Sequence, residues 1–161
     1  MKYIINERQY KLLTEQEEEI LSIPFALFNN DWDDLQKFLE KRGFPPYEIT
    51  GDLDLRGIKV ESLGKLTSVG GYLNVEKTSI KSLGDLTSVG NNLYLYRSNL
   101  QSLENLTSVG GNLDLYESNI ESLGNLISVG GALDLADTPL SKKYTKEEIR
   151  SMVKVGGGVY L

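Results

Sequence analysis

An α/β repeat solenoid, one domain of stacked coils with helical caps, is the fold this sequence predicts. Three observations predict it. A 20-residue unit is written four times without a gap from Gly51 to Gly130. The apolar residues of the four copies fall into columns, as they must when each coil can bury its apolar face only against its neighbours. The flanking segments do not repeat and carry helix start and stop signals instead.

The copies read GDLDLRGIKVESLGKLTSVG for Gly51–Gly70, GYLNVEKTSIKSLGDLTSVG for Gly71–Gly90, NNLYLYRSNLQSLENLTSVG for Asn91–Gly110 and GNLDLYESNIESLGNLISVG for Gly111–Gly130. A fifth begins at Gly131 as GALDLADTPL and then departs. One apolar column holds Leu53, Leu73, Leu93, Leu113 and Leu133, and the next holds Leu55, Val75, Leu95, Leu115 and Leu135. Val60, Leu63, Leu66 and Val69 open four more. The L-x-L segment alternates as a half-buried strand does. Stacked coils would pair these strands in parallel, about 4.8 Å apart, in a sheet of about six short strands. The Gly-Gly pairs before the strands suggest a corner with positive φ, where Asn91 is the next best residue after Gly. Thr78, Ser98, Ser118 and Thr138 form a hydroxyl column that predicts a ladder to the turn and to neighbouring coils, starting after Ile58. The S-L-G-x-L run is too short for a regular helix and predicts a 3₁₀ turn or an irregular arc.

This pattern, L-x-L-x-x-[ST]-x-[IL]-x-S-L-x-x-L-x-x-V-G-G, resembles the leucine-rich repeats. It is most similar to a short variant found in bacterial and bacteriophage proteins, with Thr or Ser in place of the usual Asn. The resemblance covers about half the chain. It implies protein–protein recognition, usually on the strand face, and no particular partner. The opening MKYIINERQYKLLTE is also similar to N-termini that recur on proteins of large tailed phages.

Three segments follow: an N-terminal helical cap over 1–50, the repeat solenoid over 51–140, and a capping helix with a last strand over 141–161. In the first, Lys2–Asn6 reads as a short strand or extended arm. Thr14 and Glu17 form a capping box that predicts a helix from Glu15 to about Leu21, limited by Pro24. Asn30 or Asp31 should cap a second helix with Asp33 and Asp34 in its first turn, at the positive end of the helix dipole. Trp32, Leu35, Phe38 and Leu39 share one face of it. Gly43 and then Pro45 and Pro46 end it. In the last segment Thr145 and Glu148 form another capping box, with Ile149, Met152 and Val153 as its apolar stripe. Val155–Leu161 then repeats the V-G-G-x-[LV]-x-L signature as a final strand. Lys142, Lys143, Lys146, Arg150 and Lys154, mixed with Glu147 and Glu148, read as a solvated face.

Several function classes recede at once. The 161 residues contain no His and no Cys, which removes the commonest general base, the thiol nucleophile and the usual transition-metal ligands. No run of apolar residues is long enough for a membrane span, and the start lacks the apolar centre of a signal peptide. The cytoplasm is therefore the expected location, that of the host if the chain is phage-encoded. A formal net charge of −6 with no basic stripe argues against nucleic acid. Asp114 and Asp134 share an outward column about 5 Å apart, within the range of a retaining glycosidase pair. Asp54, Asn74 and Tyr94 continue that column without catalytic logic, so no catalytic residue is assigned. A row of carboxylates also lacks the converging oxygens that calcium requires. No cofactor or metal is expected.

The outward columns point instead to binding. Tyr72, Tyr94, Tyr96 and Tyr116 should cluster on the strand face of the second to fourth coils, with Arg56 and Arg97 nearby. Aromatic residues ringed by charge have the composition of an interaction hot spot. The expected function is thus a non-catalytic module that recognises a protein partner through this face. Two rivals stand beside it. One is a homodimer paired through the last strand, Val159, Tyr160 and Leu161. The other is a phage-encoded inhibitor that occupies the binding surface of a host protein.

Overall fold

A computed structural model describes residues 19–161. The expectations for Lys2–Asn6 and for the Thr14–Glu17 capping box lie outside those residues. The chain winds as a solenoid with two parallel sheets rather than one. Strands β3 (Leu53–Asp54), β5 (Leu73–Asn74), β7 (Leu93–Tyr94), β9 (Leu113–Asp114), β11 (Leu133–Asp134) and β13 (Val159–Tyr160) form the expected six-stranded sheet. The second sheet has seven strands: β1 (Leu21–Ile23), β2 (Tyr47–Ile49), β4 (Leu66–Val69), β6 (Ser88–Val89), β8 (Ser108–Val109), β10 (Ser128–Val129) and β12 (Lys154–Val155). The T-S-V-G run of the first three repeats and the I-S-V-G run of the fourth build four strands of this second sheet. The column residues at these runs stand three apart with two others between, as Leu66 and Val69 do, so the runs show no period of two and the sequence gives no sign of a strand.

Register follows the repeat. Leu53 pairs with Leu73, Leu73 with Leu93, Leu93 with Leu113 and Leu113 with Leu133, and all five are fully buried. The core is these columns continued from coil to coil. Burying one Leu side chain contributes roughly 1.5–3 kcal/mol.

The cap differs from expectation at its start. Leu21 ends no helix but begins β1, which pairs with β2, so the cap lends the second sheet two strands. A 3₁₀ turn, Phe25–Phe28, follows Pro24. Helix α1 (Trp32–Glu40) is capped by Asp31, whose Oδ1 accepts from the Asp34 amide at 2.9 Å. Trp32, Leu35 and Leu39 are buried, and Phe38 packs edge-on against Phe28. Helix α2 (Lys146–Met152) carries the expected capping box between Thr145 and Glu148. Ile149 and Val153 are buried, but Met152 is half exposed and stands outside the stripe.

Positive φ falls elsewhere than expected. The glycines at the corners, and Asn91, do not have it. It belongs to the residue after the outward strand end, at Gly57, Lys77, Arg97, Glu117 and Asp137, and to the arc, at Gly64, Gly84, Glu104 and Gly124. The corner glycines are needed for close approach. A Cβ on Gly90 would collide with the carbonyl of Gly70, and the same clash recurs at Gly110 and Gly130 one coil below each. In the arc, Ser62, Ser82, Ser102 and Ser122 each accept the amide two residues on, a hydroxyl-capped turn. Glu104 bears the left-handed strain at the arc position that is glycine in the other three coils. Its Oε2 accepts from Ser82 Oγ, Leu83 N and Gly84 N at 2.9, 2.9 and 3.1 Å, tying two coils together.

The hydroxyl column keeps the expected turn bonds at Thr78 and Thr138 but makes no bond between coils among the described residues. Thr78 and Thr138 donate to Val75 and Leu135 of their own coil at 2.7 and 2.6 Å. The buried hydroxyls of Ser98 and Ser118 have no partner among the described residues. Ser has the same reach but lacks the methyl that restricts the Thr rotamer.

Two glycine substitutions separate the two roles. Gly90→Ala should lower the unfolding free energy by about 3 kcal/mol or more, because backbone must move. Gly57→Ala, with open space around it, should cost only about 1–2 kcal/mol of left-handed strain. Urea unfolding of the two variants checks the order. The same measurement on Glu104 should show Glu104→Ala losing about 2 kcal/mol and Glu104→Gly less, since glycine relieves the strain.

Candidate functional site: the tyrosine face

The outer face of the six-stranded sheet gathers the residues predicted from the sequence. Tyr72, Tyr94, Tyr96 and Tyr116 are all half-buried and form two pairs. The Tyr72 and Tyr94 rings meet edge to face, centroids 6.3 Å apart. Those of Tyr96 and Tyr116 stack at 5.6 Å, 2° from parallel. Both contacts follow from the coil translation, which brings residues of neighbouring repeats side by side. Asn92 Nδ2 donates to the Tyr94 hydroxyl at 2.8 Å and fixes its direction.

Each pair has its arginine. Arg56 forks onto Asp54, with Nη2 to Oδ2 at 2.7 Å and Nε to Oδ1 at 3.0 Å. Its guanidinium holds the Asp54 carboxyl below the usual carboxylate range. Arg97 lies 4.9 Å from the Tyr96 ring centroid and pairs with Glu117. Arg97 and Glu117 sit in the left-handed column one coil apart, so their side chains leave the backbone in the same direction. Two hollows flank Tyr72. One, of about 350 Å³, is lined by Asp54, Arg56, Tyr72, Asn74, Glu76 and Tyr94. The other, of about 310 Å³, lies toward the cap against Phe25, Asn30, Asp52, Asp54 and Tyr72.

The carboxylates of this face serve the backbone. Asp54, Asp114 and Asp134 accept the amides of Arg56, Tyr116 and Ala136, and Asn74 does the same for Glu76. This is an Asx turn repeated down the column, and it gives Asp114 and Asp134 a structural task. Burial pushes the Asp114 carboxyl up, against the Tyr116 amide that favours its charge, and neighbouring Asp134 adds to the rise. Among the described residues, no group of three or more His, Cys, Asp or Glu could hold a metal ion. Nor is any helix among them long and apolar enough to cross a membrane.

The sequence reading missed two features. One is a trough of about 600 Å³ across the second sheet, lined by the Ser, Val and Gly of four coils and by Lys154 and Gly156. Its only sequence signal is the invariance of S-V-G from copy to copy. The other is Arg150, which is exposed as expected and also donates to two backbone carbonyls of the last coil.

Compared with known proteins, the chain matches no family model, no curated protein and no solved structure. The class of protein rests on the fold: a parallel-strand solenoid of stacked 20-residue coils, consistent with a leucine-rich-repeat-like architecture.

Asp114→Asn tests the electrostatics. A carboxyl whose pKa is raised on folding holds its proton more tightly folded than unfolded. Its charge therefore costs stability above the raised value, and the cost fades as pH falls through that value toward the ordinary aspartate range. Asn keeps the acceptor, as Asn74 shows. Thermal melts should place the variant about 1–2 °C above the parent at pH 7, a small gain because solvent screens part of the charge. The gap should close on acidification.

Proposed function

We propose that this protein is a non-catalytic recognition module that binds a protein partner through the outer face of its six-stranded sheet. One observation carries the reading: four tyrosines meet as two ring pairs on one rigid sheet face, with two arginines beside them. Preformed aromatic contacts lower the ordering cost of binding, and half-exposed Tyr beside hydrogen-bonding groups is hot-spot chemistry. Both arginines are tied to carboxylates, which fixes their positions. The bacterial or bacteriophage origin implied by the repeat pattern belongs to the same reading. A phage-encoded inhibitor that occupies the binding surface of a host protein, in the host cytoplasm, stands as a rival to it.

A second reading is a homodimer through Val159, Tyr160 and Leu161. It is favoured by β13 being the outer strand of its sheet and by Tyr160 standing half exposed. Removing Val159–Leu161 should then abolish the dimer in light scattering while a folded solenoid remains.

For the leading reading, a partner is first captured from cells with the unmodified chain and identified, and its affinity is measured. Changing Tyr72, Tyr94, Tyr96 and Tyr116 together to Ala should abolish that binding. Changing either pair alone should weaken Kd by about 30-fold or more. Full affinity in the quadruple variant rejects the face.

A further inference from the structure

One position on the tyrosine face carries a charge that the fold does not use. Asp52 Oδ1 accepts the Tyr72 amide of the next coil at 2.9 Å. Further along the same column, Asn92 and Asn112 do this for the amides of Asn112 and Ala132, each at 2.8 Å. The backbone there needs only an acceptor oxygen, and a neutral side-chain amide supplies it. The Asp52 carboxylate is exposed and makes no ion pair among the described residues. Asp54 differs, since Arg56 donates to both of its oxygens. The hollow on the cap side of Tyr72 brings together Phe25, Asn30, Asp52, Asp54 and Tyr72, two rings and two carboxylates with no cation. Arg56 lines the hollow on the other side. Burial first, then the charges of Asp54 and Asp52, push the Tyr72 hydroxyl above its ordinary pKa, with Arg56 acting against them. The wider face has the same imbalance. In its outward and left-handed columns Asp52, Glu76, Asp114, Asp134 and Asp137 make no ion pair among the described residues. Among those residues, Lys77 is the one cation of these columns left unpaired, because Arg56 and Arg97 each already hold a carboxylate.

We propose that the partner of the tyrosine face is a basic segment of a protein, and that one of its arginine or lysine side chains enters the hollow between the cap and Tyr72 with its cation on Asp52. This rests on the reading of the face as a binding surface and adds the chemistry that the surface selects. Charge complementarity chooses the occupant: the unpaired carboxylates attract a cationic segment and repel an acidic one. The hollow suits such a side chain in both its parts. Its aliphatic stem packs against the rings, and its charged end gains from the π face of Tyr72 as well as from the carboxylate. Asp52 is the anchor because its Oδ1 alone is engaged, whereas Asp54 is already neutralised by Arg56.

The probe is the peptide acetyl-Gly-Arg-Gly-Arg-Gly-amide, titrated into the isotope-labelled full chain and followed by amide NMR, with acetyl-Gly-Glu-Gly-Glu-Gly-amide as control. The amides of Asn30, Asp52 and Tyr72 should move with a Kd of about 1 mM or tighter. Asp52→Asn keeps the acceptor that Asn92 and Asn112 provide, and should weaken the peptide about fivefold or more. Asp85→Asn removes an equal charge from an exposed arc residue and should leave the peptide's Kd unchanged. Amides that stay still at about 10 mM peptide overturn the proposal. Equal weakening by the two variants, or equal movement with the glutamate peptide, overturns it as well. So does calcium chloride that moves the same amides and displaces the peptide, or movement with protein concentration alone, since a metal ion or a second copy would then be the occupant. An Asp52→Asn chain that loses its dispersed spectrum also overturns it, because the charge would then serve the fold. The partner captured with the unmodified chain separates this proposal from the reading beneath it. Binding lost in the quadruple Tyr→Ala variant but kept in full by Asp52→Asn leaves the face standing and removes the basic anchor. Full affinity in both variants removes both.

Discussion

Everything in this molecule depends on coils repeating at a fixed translation, close enough for backbone to bond to backbone. Each corner amide reaches a carbonyl one coil below, as Gly90 N does with Val69 O, and Gly90, Gly110 and Gly130 must be glycine because the next carbonyl along, that of Gly70, Gly90 or Gly110, occupies the space a Cβ would need. Once this distance is set, the rest follows. Leucines stack on leucines, the arcs turn at the same residue, and outward side chains meet their counterparts in adjacent repeats. The stabilisation is of nearest-neighbour kind, with coil added to coil, rather than that of one central core.

Much of this was legible in the residues. The L-x-L columns gave the six-stranded sheet and the placement of the four tyrosines, and the capping residues Asp31, Thr145 and Glu148 gave the starts of both helices. The second sheet was not legible, because its runs, such as Leu86–Val89, set their apolar residues three apart and do not alternate. The corner glycines were misread for a related reason. A glycine reports that a side chain is excluded, and the sequence does not say whether φ or a neighbour excludes it. Gly57 and Gly90 are one of each. The pairing of rings within the face was likewise beyond reach, since it depends on whether Tyr96 meets Tyr116 flat or on edge.

The two departures from the repeat are more informative than its regularity. Glu104 replaces an arc glycine, accepts a strained backbone, and uses its carboxylate to gather three donors of the coil below. Arg150 lies in the helix inserted into the fifth coil and gathers two acceptors. Both are charged side chains that complete backbone hydrogen bonding where the pattern alone would leave it incomplete. Sequence reasoning that sorts charged residues into wet faces passes over this use of them.

The constant translation carries a consequence for how such a chain can change over evolutionary time. Duplicating one whole unit in frame inserts a complete coil that meets both neighbours with the bonds they already make, so the molecule can lengthen or shorten without redesign. A gain of one or two residues within a unit has no such freedom, because it displaces every column beyond it. Variation among descendants should therefore arrive in steps of a full turn, with novelty confined to the few outward letters of each.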